Sequence, residues 1–100
     1  MVEDRKNGLS GEPKSEATKQ MLLKAIELNP EMASAHANLG RWYAQQGFWK
    51  QAVERYQEAV RLQPNNAGVY RSLARAWIAL GEQNKADWCW KKLLELEPKK

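Results

Sequence analysis

The stretch 33–64 recurs, with variation, as 67–98, and this repetition at an offset of 34 restricts the fold more than any other feature of the chain. Leu39 maps onto Leu73, Gly47 onto Gly81, Ala52 onto Ala86, Leu62 onto Leu96 and Pro64 onto Pro98. One period earlier, Leu28-Asn29-Pro30 stands where Leu62-Gln63-Pro64 stands later. A fixed period of about 20–50 residues specifies stacked units, each with an apolar face that only a neighbour can bury.

Inside the period the apolar spacing is helical. His36, Leu39, Gly40 and Tyr43 follow i, i+3, i+4, i+7, and Gly47 supplies a C-cap. Ala52, Tyr56, Ala59 and Val60 define a second helix that ends before Pro64. Small residues at Gly40, Ala52 and Ala59 let the two helices approach, and Tyr43 and Tyr56 fill the space beside them. The expectation is an antiparallel helical hairpin with a short loop. The copy repeats it with Tyr70, Leu73, Ala74 and Trp77, then Gly81, then Ala86, Trp90, Leu93 and Leu94, and Asn65-Asn66 forms a capping turn before it.

Upstream, Ser15 is an N-cap and Glu16 suits the positive end of a helix. Leu22, Ala25 and Ile26 share one side, with Met21 and Leu28 at its edges, and Pro30 follows the stop. Residues 15–30 therefore supply a half repeat, second helix only. Residues 33–64 and 67–98 are the full repeats, giving one domain over 15–98. Residues 1–14 mix both signs of charge with Gly8, Gly11 and Pro13 and contain no helix matching the one from Ala33, so they read as a flexible tail.

One hundred residues make one domain, able to bury about 60–70% of its unfolded surface. The formal charge is +4, but Lys and Arg alternate with Glu rather than clustering, so a solvated surface is expected and nucleic acid is not favoured. With a single cysteine and a single histidine, neither an internal disulfide nor a zinc site can form. No apolar run approaches the roughly 20 residues of a membrane span, and a cytoplasmic location is the default. No phosphate-binding loop, paired-carboxylate site or nucleophile motif points to an enzyme or a cofactor. His36 reads as a packing residue, and Cys89, between Trp88 and Trp90, as a buried inert thiol.

These spacings resemble the tetratricopeptide repeat, W-x2-L-G-x2-Y, then A-x3-F, then P in 34 residues. The chain gives His36, Leu39, Gly40, Tyr43, Ala52, Tyr56 and Pro64, then Tyr70, Leu73, Ala74, Trp77, Ala86, Trp90 and Pro98. The departures are His36 for the aromatic, Ala74 for the glycine, and Tyr56 or Trp90 for the phenylalanine. The resemblance implies an all-α fold of five helices, paired in antiparallel hairpins and stacked as a right-handed α-solenoid. It also implies a non-catalytic protein-interaction scaffold whose first helices line a concave groove for a peptide segment. Its general style is similar to bacterial repeats fused to transferases, which opens a second reading as the recruiting segment of a larger enzyme. A third reading, an RNA-binding helical repeat, is opposed by the 34-residue period and the dispersed charge.

On that implication the groove side of the first helix carries Ser34, Ala37, Asn38, Arg41 and Gln45. The next first helix carries Gly68, Arg71, Ser72, Arg75 and Ala79. Arg41 and Arg75 are one period apart and Arg71 is one turn before Arg75, so three guanidiniums would face one groove and suit an acidic partner. Against this stands the ordinary alternative of solvated arginines paired with nearby Glu, worth at most about 1 kcal/mol each. The family subgroup that clamps C-terminal carboxylates needs basic and Asn residues on an earlier first helix, which 1–14 do not supply.

Trp88 replaces Glu54 of the previous period, and Trp49 corresponds to Gln83. With Leu94 and Leu96, Trp88 gives the last helix an apolar terminal surface for a further copy of the chain, a partner or another repeat. Two and a half units fall short of the three or so that stabilise such arrays, so the expected stability is modest.

Overall fold

The computed structural model describes residues 15–96, and the tail assignment for 1–14 and the terminal Pro98 lie outside them. Five helices and no strand occur among the described residues: α1 Glu16–Leu28, α2 Ala33–Gln45, α3 Trp49–Leu62, α4 Ala67–Ala79 and α5 Gln83–Leu96. Successive helices pack as antiparallel neighbours, α2 with α3 and α4 with α5, and α3 joins the two hairpins through α4. First helices also meet, α2 with α4, whereas the second helices α3 and α5 do not.

The helix ends follow local chemistry. Ser15 accepts a hydrogen bond from the Thr18 backbone N–H, and Asn66 accepts one from Val69, so each satisfies an orphan donor of its helix. Gly47 and Gly81 take φ of 83° and 80°, the left-handed region, where a Cβ is costly. At the first, Phe48 N–H reaches the Tyr43 carbonyl at 2.9 Å and Gly47 N–H reaches Ala44 at 3.0 Å, the paired bonds of a Schellman stop. The Phe48 and Tyr43 rings, 6.4 Å apart, supply the apolar contact that accompanies it.

The main core runs through α3, α4 and α5, with Ala52, Val53, Tyr56, Ala59, Leu73, Ala74, Ala76, Ala86 and Cys89 buried. Close approach of α2 and α3 depends on Gly40. A Cβ there would stand 2.8 Å from two ring carbons of Tyr56. Tyr43 and Trp77 pack against this core but stay half-buried, and the fully covered neighbours are Trp42 and Ala76, one residue earlier in each unit. One expectation about faces is corrected. Met21 and Leu28 are not edge residues of a covered face, because both are more than two-thirds exposed and α1 has no fully buried residue.

Candidate functional site: the concave groove

Neither α2 nor α4 contains Asp, Glu or Lys, and Arg41, Arg71 and Arg75 are their only charged residues. The acidic residues of the described chain sit on α1, α3, α5 and the loops. Net positive charge is therefore concentrated on the two first helices, although it is dispersed along the sequence.

Arg41, Gln45, Ser72 and Arg75 line one cavity of about 350 Å³ between α2 and α4. Ala44, Trp49 and Tyr56 complete its lining. Among the described residues, no carboxylate lies within ion-pairing distance of Arg41 or Arg75. Tyr56 is 5% exposed, and burial raises its phenol above the ordinary value. The Ser72 hydroxyl and the charges of Arg41 and Arg75, which line the same cavity, oppose that rise.

A second cavity, about 310 Å³, continues along α2 toward α1 and is lined by Thr18, Leu22, Asn38, Arg41, Trp42 and Gln45. Arg41 and Gln45 belong to both, so the two cavities form one concave trough. Ser34 and Arg71 are exposed on the same helices but line neither cavity. Trp49, the partner of Gln83 one period on, and Tyr56, a signature packing residue, are site residues that sequence reasoning missed.

The TPR repeat family profile matches residues 40–81. Residues 40–81 carry the tetratricopeptide-repeat pattern. Stress-induced-phosphoprotein 1 of Caenorhabditis elegans is 37% identical over 68 residues, 64% of this chain and 21% of the relative. A crystal structure of MamA superposes with a TM-score of 0.81 at 30% identity, covering 90% of this chain and 52% of that one. A second MamA structure gives 0.78 at 32%, covering 82% and 45%. The chain thus spans about half the length of these structures and a fifth of the curated relative. The fold is the right-handed α-solenoid of protein-interaction scaffolds.

In this repeat array the terminal residues do not share one face. Trp88 is 53% exposed, lies 6.1 Å from the Tyr70 ring and lines a cavity of about 420 Å³ with Val60, Arg61, Leu73, Trp77 and Lys85. That position points toward the gap between α3 and α5. Leu94, 67% exposed, stands about 120° round the helix from Trp88 and about 160° from the half-buried Leu96.

His36, which stands at the aromatic position of the signature, is buried and bonded at both ring nitrogens, Nε2 to the Pro30 carbonyl at 2.9 Å and Nδ1 to Arg55 Nη1 at 3.0 Å. A guanidinium only donates, so Nδ1 is the acceptor and Nε2 carries the proton. His36 therefore does more than pack: it ties the α1–α2 turn to α3. Cys89 is fully buried, and burial pushes its thiol up to about 11. Neither residue offers a reactive group to the groove. Among the described residues there is no cluster of metal-ligating side chains and no helix long and apolar enough to cross a membrane.

Proposed function

We propose that this array is a non-catalytic interaction module that holds a segment of a protein partner in the trough between α2 and α4, with preference for acidic segments. The supporting observation is the cavity lined by Arg41, Gln45, Ser72 and Arg75 on two helices that contain no acidic residue. An unpaired guanidinium is available for bidentate contact with a carboxylate, and Asn38 and Gln45 can hydrogen-bond the backbone of an extended peptide along the same trough. Because Arg41 and Arg75 neutralise no carboxylate among the described residues, a ligand does not have to break an ion pair within them to reach these guanidiniums.

A peptide array probed at low and high salt tests this reading. Acidic peptides should be retained at low salt, weakened at high salt, and lost in Arg41→Ala/Arg75→Ala. Both arginines are exposed, so the double variant should keep its helical signal. Equal binding of acidic and basic peptides, or acidic binding unaffected by the double substitution, would remove the groove from the account.

A further inference from the structure

The cavity between α2 and α4 has a composition more specific than a general preference for acid. Its polar lining consists of two guanidiniums, two hydroxyls and one amide, from Arg41, Arg75, Ser72, Tyr56 and Gln45. The guanidiniums only donate, and each of the other three groups can donate as well. The charges are one period apart in sequence but line the same cavity as the phenol of Tyr56, a side chain 5% exposed.

Two positive charges converging on one small volume are poorly matched by a single carboxylate. One guanidinium would remain without a counter-charge, and a carboxylate has only two oxygens for the available donors. A phosphoryl group brings about −1.5 to −2 charge at neutral pH and three terminal oxygens. Each guanidinium can then take a bidentate pair of oxygens while the hydroxyls fill the remaining lone pairs. The apolar walls, Ala44 and Trp49, suit the carbon side of a phosphorylated side chain rather than a bare ion.

We infer that this cavity is a phosphoryl subsite of the groove, in which Arg41 and Arg75 neutralise the dianion borne by a phosphorylated side chain of the bound segment, and Tyr56 and Ser72 donate to its oxygens. The inference rests on the groove reading and narrows it.

The test is fluorescence anisotropy on the whole chain with four labelled peptides of one neutral sequence, bearing Ser, Glu, Glu-Glu or phosphoserine at the centre. Inorganic phosphate serves as competitor, and the indole N–H resonance of Trp49 reports occupancy. The phosphoserine peptide should bind at least about tenfold more tightly than the Glu-Glu peptide and shift the Trp49 signal. Arg41→Ala and Arg75→Ala should each abolish that advantage. Tyr56→Phe, which keeps the ring and its packing, should reduce it several-fold while leaving the Glu peptide unaffected. Glu-Glu binding as tight as phosphoserine overturns the subsite and leaves an acidic-peptide groove. Failure of all charged peptides to bind the folded chain overturns both readings. Inorganic phosphate as tight as the phosphopeptide keeps the subsite and overturns the peptide as its source.

Discussion

The indole Nε1 of Trp42 donates a 2.9 Å hydrogen bond to the backbone carbonyl of Ser15, the residue that caps α1. The bond crosses 27 positions and joins the start of α1 to α2. Lys19 adds its ammonium 5.2 Å above the same ring. Since α1 has no fully buried residue of its own, its docking depends heavily on this side chain. Trp42→Ala should cost about 3–5 kcal/mol by loss of buried aromatic volume. Trp42→Phe retains most of the packing and should cost about 1 kcal/mol for the missing hydrogen bond. Amide exchange should accelerate selectively in α1, while amides of α4 and α5 keep their protection. Uniform acceleration across all helices would mean that α1 is not anchored through Trp42.

Gly40 gives a prediction whose sign depends on competing terms. Alanine in a helix interior gains about 1 kcal/mol over glycine from backbone entropy. At Gly40 the new methyl would meet the Tyr56 ring at 2.8 Å, and that side chain is only 5% exposed. Overpacking costs about 1–3 kcal/mol, so Gly40→Ala should lower the urea midpoint. Gly68 is the internal control, because an added Cβ there has only Asn66 Oδ1 at 3.5 Å and faces solvent. Gly68→Ala should leave the midpoint unchanged or raise it. A stabilising Gly40→Ala would show that Tyr56 can step aside.

The hairpins were legible because their determinants are local. The 3.6-residue spacing of Leu39 and Leu73, the Gly47 and Gly81 stops and the Ser15 and Asn66 caps each act within a turn or two. Trp42 was not legible, because its partner is a backbone carbonyl in another element and its counterpart Ala76 shows no aromatic pattern to compare. The groove was half-legible. Helical spacing put Asn38, Arg41 and Gln45 on the exposed side of α2, but it assigned Tyr56 wholly to the core. A tyrosine can do both, with the ring packed against Gly40 and the hydroxyl end emerging beside Arg41 and Arg75. The absence of acidic residues from both first helices stood in the sequence, and only the pairing of α2 with α4 gives it meaning.

His36→Phe would restore an aromatic at the signature position, and size alone predicts a harmless change. The bonds at both ring nitrogens predict the opposite. Replacing the imidazole by a phenyl ring leaves the Arg55 guanidinium and the Pro30 carbonyl without their His36 partner in a partly buried setting, at about 1–3 kcal/mol. If the cost arises from the stranded guanidinium, His36→Phe/Arg55→Leu should be less destabilised than the sum of the two single changes. A coupling of at least about 0.5 kcal/mol in the double-mutant cycle is expected. Strict additivity would reduce His36 to a packing residue.

Cys89 provides a pH dependence with a definite sign. Its thiol is pushed from the ordinary value near 9 up to about 11 in the folded chain by burial, which disfavours the thiolate. Below pH 9 the thiol is protonated whether the chain is folded or not, and it contributes no slope. Between about pH 9 and 11 the unfolded chain loses this proton while the folded one keeps it, so the unfolded state binds fewer protons and stability falls as pH rises. Lysines and tyrosines also titrate in that window, so the informative quantity is the difference between the wild type and Cys89→Ala. The variant should start less stable, by the lost packing of a fully buried side chain, and its stability should decline less steeply from pH 9 to 11. At pH 8, a thiol-specific chromogenic reagent should react with the native chain only as fast as the chain opens, accelerating in urea. Parallel stability curves for the two proteins, or rapid labelling of the native thiol, would contradict a buried, unionised Cys89.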